Sequence, residues 1–252
     1  MAATEVQGRA LETLELGASN DSPALVLLHE GIGSVGLWRD FPAELNRVTG
    51  RRTIAFSRFG HGRSAPPAKP RTRSFFHEEA LEVLPELFAK LDVRVPVLVG
   101  HSVGASIAVI YGAHHPVSAL ILLAPFVFVE ELTLEEIRRT REDFVSGGLR
   151  ERMSRHHDDP DAAFWGWCDV WLDPKFGTWT LDEEARRLNV PCLVIQGEDD
   201  PYCSLAQLER IEALAQGPVQ RIVLPGGHSP HLEHRESVLD AIDSFLAPLA
   251  QG

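Results

Sequence analysis

Short, continuously apolar runs recur along the chain and alternate with longer stretches of helical periodicity. The apolar runs are rich in Val, Ile and Leu and predict buried strands over residues 24–28, 53–56, 95–99, 119–123, 192–195 and 221–224. Helical spacing predicts helices over residues 37–46 (a weak pattern), 75–91, 103–112, 205–215 and 237–249. A weak alternation over residues 6–16 indicates an antiparallel strand at one edge of the sheet.

This order of elements predicts an α/β fold. Because the strands lack polar alternation, we expect both faces of a mostly parallel, doubly wound sheet to be covered by helices. Residues 126–188 interrupt the alternation of strands and helices, since they contain charged helical segments and the aromatic cluster FWGWCDVW but no convincing strand. We interpret this segment as a helical cap insertion into a single core formed by residues 1–125 and 189–252.

Composition narrows the class of ligand. The chain has 252 residues, of which 44% are hydrophobic, enough for one sizeable core. Its 36 acidic and 24 basic residues give a net charge of −12, which opposes binding to nucleic acid or an anionic membrane surface and favours a small-molecule substrate. The three cysteines show no CxxC spacing, and no segment is typical of a signal peptide or a membrane span. We therefore expect a cytoplasmic protein, with a homodimer left open.

The sequence Gly100-His101-Ser102-Val103-Gly104 lies between a predicted strand and a predicted helix. In that position a G-x-S-x-G is typical of a nucleophile elbow, a strained turn that exposes the serine and leaves no room for neighbouring side chains. The alternative is a tight strand-to-helix turn in which Ser102 only caps the helix. A serine nucleophile also needs a base, and the base needs a group that orients it.

Two later strand ends carry such partners. Glu198, Asp199 and Asp200 follow the strand at 192–195, and His228 follows the strand at 221–224. Carboxyl ends of parallel strands meet at one edge of the sheet, so these side chains are expected close to Ser102. The order Ser102, Asp200, His228 is the one expected for this fold class, with Asp199 as the main competitor for the acid.

Five segments together resemble the α/β-hydrolase superfamily, in particular its small cap-bearing serine esterases: HEGIGS, SRFGHGRS, GHSVGAS, IQGEDDP and GGHSPHLEHRESV. The resemblance spans nearly the whole chain. It implies that Ser102 is the nucleophile, His228 the general base and then acid, and Asp200 the orienting carboxylate. It also implies an oxyanion hole formed by the backbone amides of Gly31 and Val103. We expect no cofactor.

The resemblance places the cap at residues 126–188, where Trp165, Trp167 and Trp171 are candidates for the wall of a substrate pocket. Packing inside the cap is the alternative role for these aromatic side chains. The run 156–159 is interpreted as a solvated loop of the cap. His231 and His234 follow His228 at intervals of three, but Pro230 interrupts any helix that would align them, so we expect no metal site.

Glu30 departs from the H-G-x-x-G turn of the superfamily, in which a glycine follows the histidine. An ionised carboxylate about 4 Å from a developing oxyanion would oppose it by roughly 4 kcal/mol at an effective dielectric of 20. We therefore expect Glu30 to turn toward a donor on the next loop, namely Arg58, His61 or Arg63, and to act as a scaffold of its own loop. The alternative is a protonated carboxyl that serves as a second acid.

These features together predict a serine hydrolase that cleaves a carboxylic ester of a small hydrophobic or aromatic substrate through an acyl-enzyme. Cleavage of a thioester or of an activated C–C bond remains open, because the same three side chains can serve all of these reactions. A different class of function also remains open, namely a ligand receptor that retains the triad or a cofactorless lyase.

Overall fold

A computed structural model describes residues 2–250 of the chain, with side chains through residue 249. Eight strands form one sheet in the order β1-β2-β4-β3-β5-β6-β7-β8. The strands are β1 (Ala2–Val6), β2 (Arg9–Leu16), β3 (Leu25–Leu28), β4 (Thr53–Phe56), β5 (Val97–His101), β6 (Ala119–Leu123), β7 (Cys192–Gly197) and β8 (Val219–Leu224). Strands β3 to β8 are parallel, and β1 and β2 pair antiparallel at one edge.

Helices cover both faces of the sheet. They are α1 (Phe41–Thr49), α2 (Phe75–Glu78), α3 (Leu84–Lys90), α4 (Val103–His114), α5 (Glu131–Ser146), α6 (Leu149–Ser154), α7 (Pro160–Trp171), α8 (Asp182–Arg187), α9 (Ala206–Leu214), α10 (Pro230–Glu233) and α11 (Arg235–Leu246). A π-helical segment, Glu79–Val83, joins α2 to α3. Residues from α1 and α11 form one hydrophobic cluster, and residues from α2, α3, α4, α9 and the α5–α8 region form the other. The predicted fold class is therefore confirmed.

Three element boundaries differ from the prediction for local reasons. The edge strand is a hairpin, because Gln7 and Gly8 have φ values of 51° and 69° that suit a two-residue turn. Strand β5 begins at Val97 because Pro96 has no N–H to donate to a ladder. The weak helix at 37–46 is divided at Arg39, where φ is 53°.

Helices α5 to α8 lie between β6 and β7, inside the segment interpreted as a cap. One isolated antiparallel bridge joins Phe128, just before α5, to Thr180, just before α8. Among residues 2–250, no helix combines the length and the apolar character needed to cross a bilayer.

Candidate active site

Ser102 occupies the turn between β5 and α4 in a strained conformation, with φ 55° and ψ −118°. The close approach of α4 to the sheet requires glycine on both sides of this turn. A Cβ atom at Gly104 would lie 1.9 Å from the carbonyl oxygen of Leu28, and one at Gly100 would lie 2.5 Å from the carbonyl oxygen of Gly104. Packing thus requires both glycines of the G-x-S-x-G motif, and the tight turn between them holds Ser102 above the edge of the sheet.

The structure brings the three residues predicted for the triad together. The hydroxyl of Ser102 lies 2.9 Å from Nε2 of His228, and Nδ1 of His228 lies 2.7 Å from Oδ2 of Asp200. Asp200 is buried, whereas Asp199 and Glu198 are exposed. The geometry therefore selects Asp200 among the three neighbouring acids.

Asp200 is held by four hydrogen bonds. Oδ1 accepts from the amides of Tyr202 (2.8 Å) and Cys203 (3.3 Å), and Oδ2 accepts from the Cys203 thiol (3.1 Å) as well as from His228. Burial raises the pKa of Asp200, but His228, the thiol and the Tyr202 amide outweigh burial and hold the pKa below its usual value. An ionised Asp200 only accepts, so it fixes the proton of His228 on Nδ1 and leaves Nε2 free to accept from Ser102.

Asp200, Cys203 and His228 also form the one group, within the part of the chain that the structure describes, whose possible metal-binding atoms converge, all within 4.8 Å. Burial raises the pKa of the Cys203 thiol well above its usual value. A metal ion would need a thiolate there. The hydrogen bonds among the three side chains satisfy these atoms without an ion.

The loop after β3 carries Gly31, whose amide is one of the two predicted oxyanion donors. Each of its four successive carbonyls accepts from a buried side chain. The pairs are His29 with Arg58 Nη1 (2.5 Å), Glu30 with Arg58 Nη2 (2.6 Å), Gly31 with His61 Nε2 (2.9 Å) and Ile32 with His157 Nε2 (2.9 Å). The carbonyl of Glu30 and the amide of Gly31 belong to one trans peptide and point in opposite directions. Holding the carbonyl in the protein interior thus turns the amide of Gly31 away from it.

Three histidines of this network are fixed as neutral rings, because each donates from one nitrogen and accepts at the other. The accepting contacts are His29 Nε2 with the Arg58 amide (3.1 Å), His61 Nδ1 with Arg71 Nη2 (2.9 Å) and His157 Nδ1 with the Gly62 amide (3.0 Å). Burial lowers the pKa of all three rings, and the charges of Arg58 and Arg71 lower those of His29 and His61 further. Protonation of any of them would bring two donors face to face.

The carboxylate of Glu30 turns toward His101, with 3.7 Å between Oε2 and Nδ1, and not toward the side chains of Arg58, His61 or Arg63 as expected from the sequence. Arg58 is instead engaged by the backbone carbonyl of Glu30. Burial by itself raises the pKa of Glu30, but His101 and the charge of Arg58 outweigh burial and hold the pKa below its usual value. The carboxyl group is therefore ionised at neutral pH.

A cavity of about 150 Å³ opens onto Ser102. Its apolar wall is formed by Ile32, Phe126, Ile137, Trp167, Trp171 and Tyr202, and its polar wall by Glu30, His101, His228 and Ser229. Ile137 comes from α5, and the two tryptophans come from α7, so the helical cap supplies part of the wall. Among the residues that the structure describes, no lysine or arginine lines this cavity. An apolar cavity of about this size accommodates a benzene ring.

Trp165, the third tryptophan predicted for the pocket, is not on the cavity wall. Its ring packs edge-on against Phe164 and Phe144, with ring centroids 5.2 Å and 5.7 Å away, and the Arg141 guanidinium lies 5.8 Å from its centre. On an α-helix, a residue two positions from Trp167 is rotated by about 200° around the axis. Helical spacing could therefore have separated Trp165 from Trp167 and Trp171.

Three site residues carried no decisive signal in the sequence. His157 was interpreted as part of a solvated loop, but it is buried and links the cap to Ile32 and Gly62 of the core. His101 immediately precedes Ser102, which places it near the site but does not predict its contacts. Cys203 has no motif at all.

Comparison of the chain with known proteins identifies its family. The Alpha/beta hydrolase family model matches residues 25–241. A proline iminopeptidase of Lactobacillus helveticus is 34% identical over 92% of each chain. Carboxylesterase YbfK of Bacillus subtilis is 26% identical over 90% of this chain and 81% of its own.

A partial match and a solved structure add to this comparison. The similarity to the human (Lyso)-N-acylphosphatidylethanolamine lipase covers 43% of this chain and only 32% of that protein. A carboxylesterase structure from Nitrososphaera gargenis superimposes with a TM-score of 0.80 over 99% of both chains at 20% identity, which supports the fold alone. Since the family model covers well over half of the chain, the protein belongs to the alpha/beta hydrolase family.

Proposed function

We propose that the protein is a carboxylic-ester hydrolase that works through an acyl-enzyme on Ser102. The observation that carries this proposal is the continuous hydrogen-bond chain from Ser102 through His228 to Asp200, which opens onto a cavity with aromatic walls. Membership of a hydrolase family supports hydrolysis, and the carboxylesterases among the similar proteins support an ester as the bond that is cleaved.

In the first step the Oγ atom of Ser102 attacks the ester carbonyl carbon while Nε2 of His228 takes the hydroxyl proton. The carbonyl electron pair moves onto oxygen, and Asp200 stabilises the imidazolium that forms. The oxyanion accepts from the amides of Gly31 and Val103, each worth roughly 3 kcal/mol in related sites. Val103 is the first residue of α4, where amides have no carbonyl partner within the helix.

In the second step the tetrahedral intermediate collapses, and Nε2 of His228 returns its proton to the leaving alcohol. The acyl group stays on Ser102 as an ester. Water then attacks this ester while His228 takes one of the water protons, and the second collapse releases the carboxylic acid and restores the serine hydroxyl.

The cavity favours a small substrate that presents one aromatic ring or a short acyl chain to Trp167, Trp171 and Phe126. Because Glu30 lines the cavity and no described lysine or arginine does, a substrate with a carboxylate in this space is disfavoured. A thioester of the same size is the nearest alternative substrate, since its carbonyl would meet the same groups.

A panel of p-nitrophenyl esters from acetate to decanoate, with phenylacetate and benzoate, tests the proposal. We expect turnover of the short and aromatic esters and a fall in kcat/KM for long chains. Ser102→Ala should reduce kcat by roughly a thousandfold or more. Matched acyl-thioesters distinguish a thioesterase. Tight binding of aromatic ligands with no turnover of any ester would instead indicate a receptor.

A further inference from the structure

One pair of side chains joins the three segments on which the proposed acyl transfer depends. Glu30 immediately precedes Gly31, the predicted oxyanion donor, and His101 immediately precedes Ser102. The carboxylate of Glu30 lies 3.7 Å from Nδ1 of His101, which is an ion-pair distance. Nε2 of the same ring lies 2.7 Å from the backbone carbonyl oxygen of His228. The pair therefore links the oxyanion loop, the nucleophile turn and the segment that carries the base.

The bond from His101 holds the main chain of the base. A carbonyl only accepts, so Nε2 of His101 is the donor. His228 lies outside the helices and strands, and within residues 2–250 this is the one hydrogen bond made by its main-chain N–H or C=O. The segment before it bends at Gly226, where φ is 97° and no Cβ restricts the backbone. His101 thus fixes the point from which the His228 side chain extends toward Ser102.

The ring of His101 is itself fixed by its surroundings. Its side chain is 4% exposed, and it packs edge-on against the rings of Trp38 and His231, with centroids 6.2 Å and 4.7 Å away. Burial lowers the pKa of His231 well below its usual value, so that neighbour is uncharged at neutral pH. The charge that faces Nδ1 is the carboxylate of Glu30. A flip of the His101 ring would place carbon atoms against both of its polar partners and is disfavoured.

We propose that Glu30 and His101 are positioning residues. The carboxylate of Glu30 holds the ring of His101, and the ring holds the main chain of His228, so that Nε2 of His228 stays within reach of Ser102. The inference rests on the proposed function, because it concerns the base of that reaction. Neither Glu30 nor His101 takes up or releases a proton in the acyl transfer. This role also explains why a carboxylate is present beside Gly31.

Two substitutions of His101 separate the bond to His228 from the packing of the ring. The amide nitrogen of Gln reaches the position of Nε2 and can donate to the His228 carbonyl, whereas that of Asn reaches only the position of Nδ1. With p-nitrophenyl acetate we expect His101→Asn to lower kcat by about tenfold or more, with KM within about twofold, and His101→Gln to retain kcat within about threefold.

His114 provides the matched control. Its ring bonds to the carbonyl of Ile110 at the other end of α4, so His114→Asn should leave both kinetic constants of the wild type unchanged. Equal losses of kcat in His101→Asn and His101→Gln would show that only the packing of the ring matters and would overturn the inference.

A double-mutant cycle tests whether Glu30 acts through His101. Glu30→Gln alone should lower kcat by about threefold to tenfold, and by less than about twofold when it is added to His101→Asn. Additive losses would show that the two side chains act separately and would overturn the link. If His101→Asn does not fold, Glu30→Asp, which withdraws the carboxylate from His101 by one methylene, should lower kcat by about threefold at unchanged KM.

The rate of labelling of Ser102 by a fluorophosphonate probe separates this inference from the esterase proposal, because labelling needs the base but no ester turnover. We expect slower labelling of His101→Asn and near wild-type labelling of His101→Gln. If this pattern is found while no ester is hydrolysed, the positioning role stands and the esterase proposal fails. Equal labelling rates in the wild type and both variants would overturn the positioning role even if esters are hydrolysed.

Discussion

The thiol of Cys203 donates to Oδ2 of Asp200 over 3.1 Å, and this oxygen is the one that accepts Nδ1–H of His228. The thiol is buried and protonated. Cys203 therefore belongs to the set of donors that keep the carboxylate ionised and oriented, although it touches neither Ser102 nor the cavity.

Replacing Cys203 by alanine should lower kcat/KM by about threefold to tenfold, close to the 1 kcal/mol of one hydrogen bond. Cys203→Ser retains a donor and should stay within about twofold of the wild type. Cys192→Ala is the matched control, since this thiol is also buried but contacts the carbonyl of Val190. Steady-state kinetics on one p-nitrophenyl ester measure all three variants. Equal losses in Cys203→Ala and Cys192→Ala would show that only packing was disturbed.

Gly31 lies against the indole of Trp167, so that a Cβ atom would come within 2.2 Å of Nε1. Gly31→Ala should therefore displace the loop or the cap and reduce kcat/KM by roughly a hundredfold, as expected when an oxyanion donor is misplaced. Trp167→Ala frees the space, so the double variant should recover part of the loss. A double-mutant cycle on kcat/KM gives the coupling. Strictly additive losses would contradict the proposed contact.

A Cβ atom at Gly104, at the start of α4, would lie 1.9 Å from the carbonyl oxygen of Leu28, a backbone atom that cannot move aside. Gly104→Ala should cost about 3 kcal/mol or more of the free energy of unfolding. A Cβ atom at Gly112, in the same helix, would meet only side-chain methyl groups of Leu120 and Leu188, the nearest at 3.2 Å, so Gly112→Ala should be tolerated. Urea unfolding of both variants tests this contrast. Similar stabilities would refute the packing requirement.

His61 links pH to stability. Its pKa in the folded protein is well below the usual value, because of burial and then the charge of Arg71, while the unfolded chain titrates near 6.5. Below about pH 6.5 the unfolded state binds a proton that the folded state does not, so the contribution is complete at higher pH and is lost as the pH falls. Between pH 6 and 5, one histidine with a lowered pKa reduces the free energy of unfolding by up to about 1.4 kcal/mol per pH unit.

His61→Gln should therefore flatten the pH dependence of the free energy of unfolding by up to about 1.4 kcal/mol per pH unit over that interval. Urea titrations of both proteins at pH 7, 6 and 5 measure the two slopes. The variant is expected to be less stable at pH 7, because the bonds to Gly31 and Arg71 are weakened. Parallel slopes would mean that His61 takes up its proton over the same pH range in the folded protein as in the unfolded chain.

The sequence was informative where the signal was local. Ser102, Asp200 and His228 each follow a predicted strand, and parallel strands bring their ends to one edge, so the convergence of these residues could be predicted. The helical segment before β7 could be recognised because its periodicity differs from that of a strand.

Two kinds of contact could not be predicted from the sequence. They depend on the direction in which a side chain points and on how the cap packs against the core. The Glu30 carboxylate was expected to contact a residue of the next loop. Instead, the Arg58 guanidinium donates to the backbone carbonyls of His29 and Glu30, and the carboxylate faces His101. His157 reaches Ile32 across 125 positions in the chain, and no local pattern encodes that contact. The burial of His157 depends on how α6 and α7 pack against the core.

The most direct test of the proposed chemistry is labelling with a fluorophosphonate probe, followed by peptide mapping. We expect one probe per chain, attached to the peptide that contains Ser102, and no labelling of Ser102→Ala. His228→Ala should slow labelling by roughly a thousandfold, because the hydroxyl loses its base. Attachment to another serine, such as Ser229 on the same cavity wall, or no labelling of the folded wild-type protein, would contradict the assignment of Ser102 as the nucleophile.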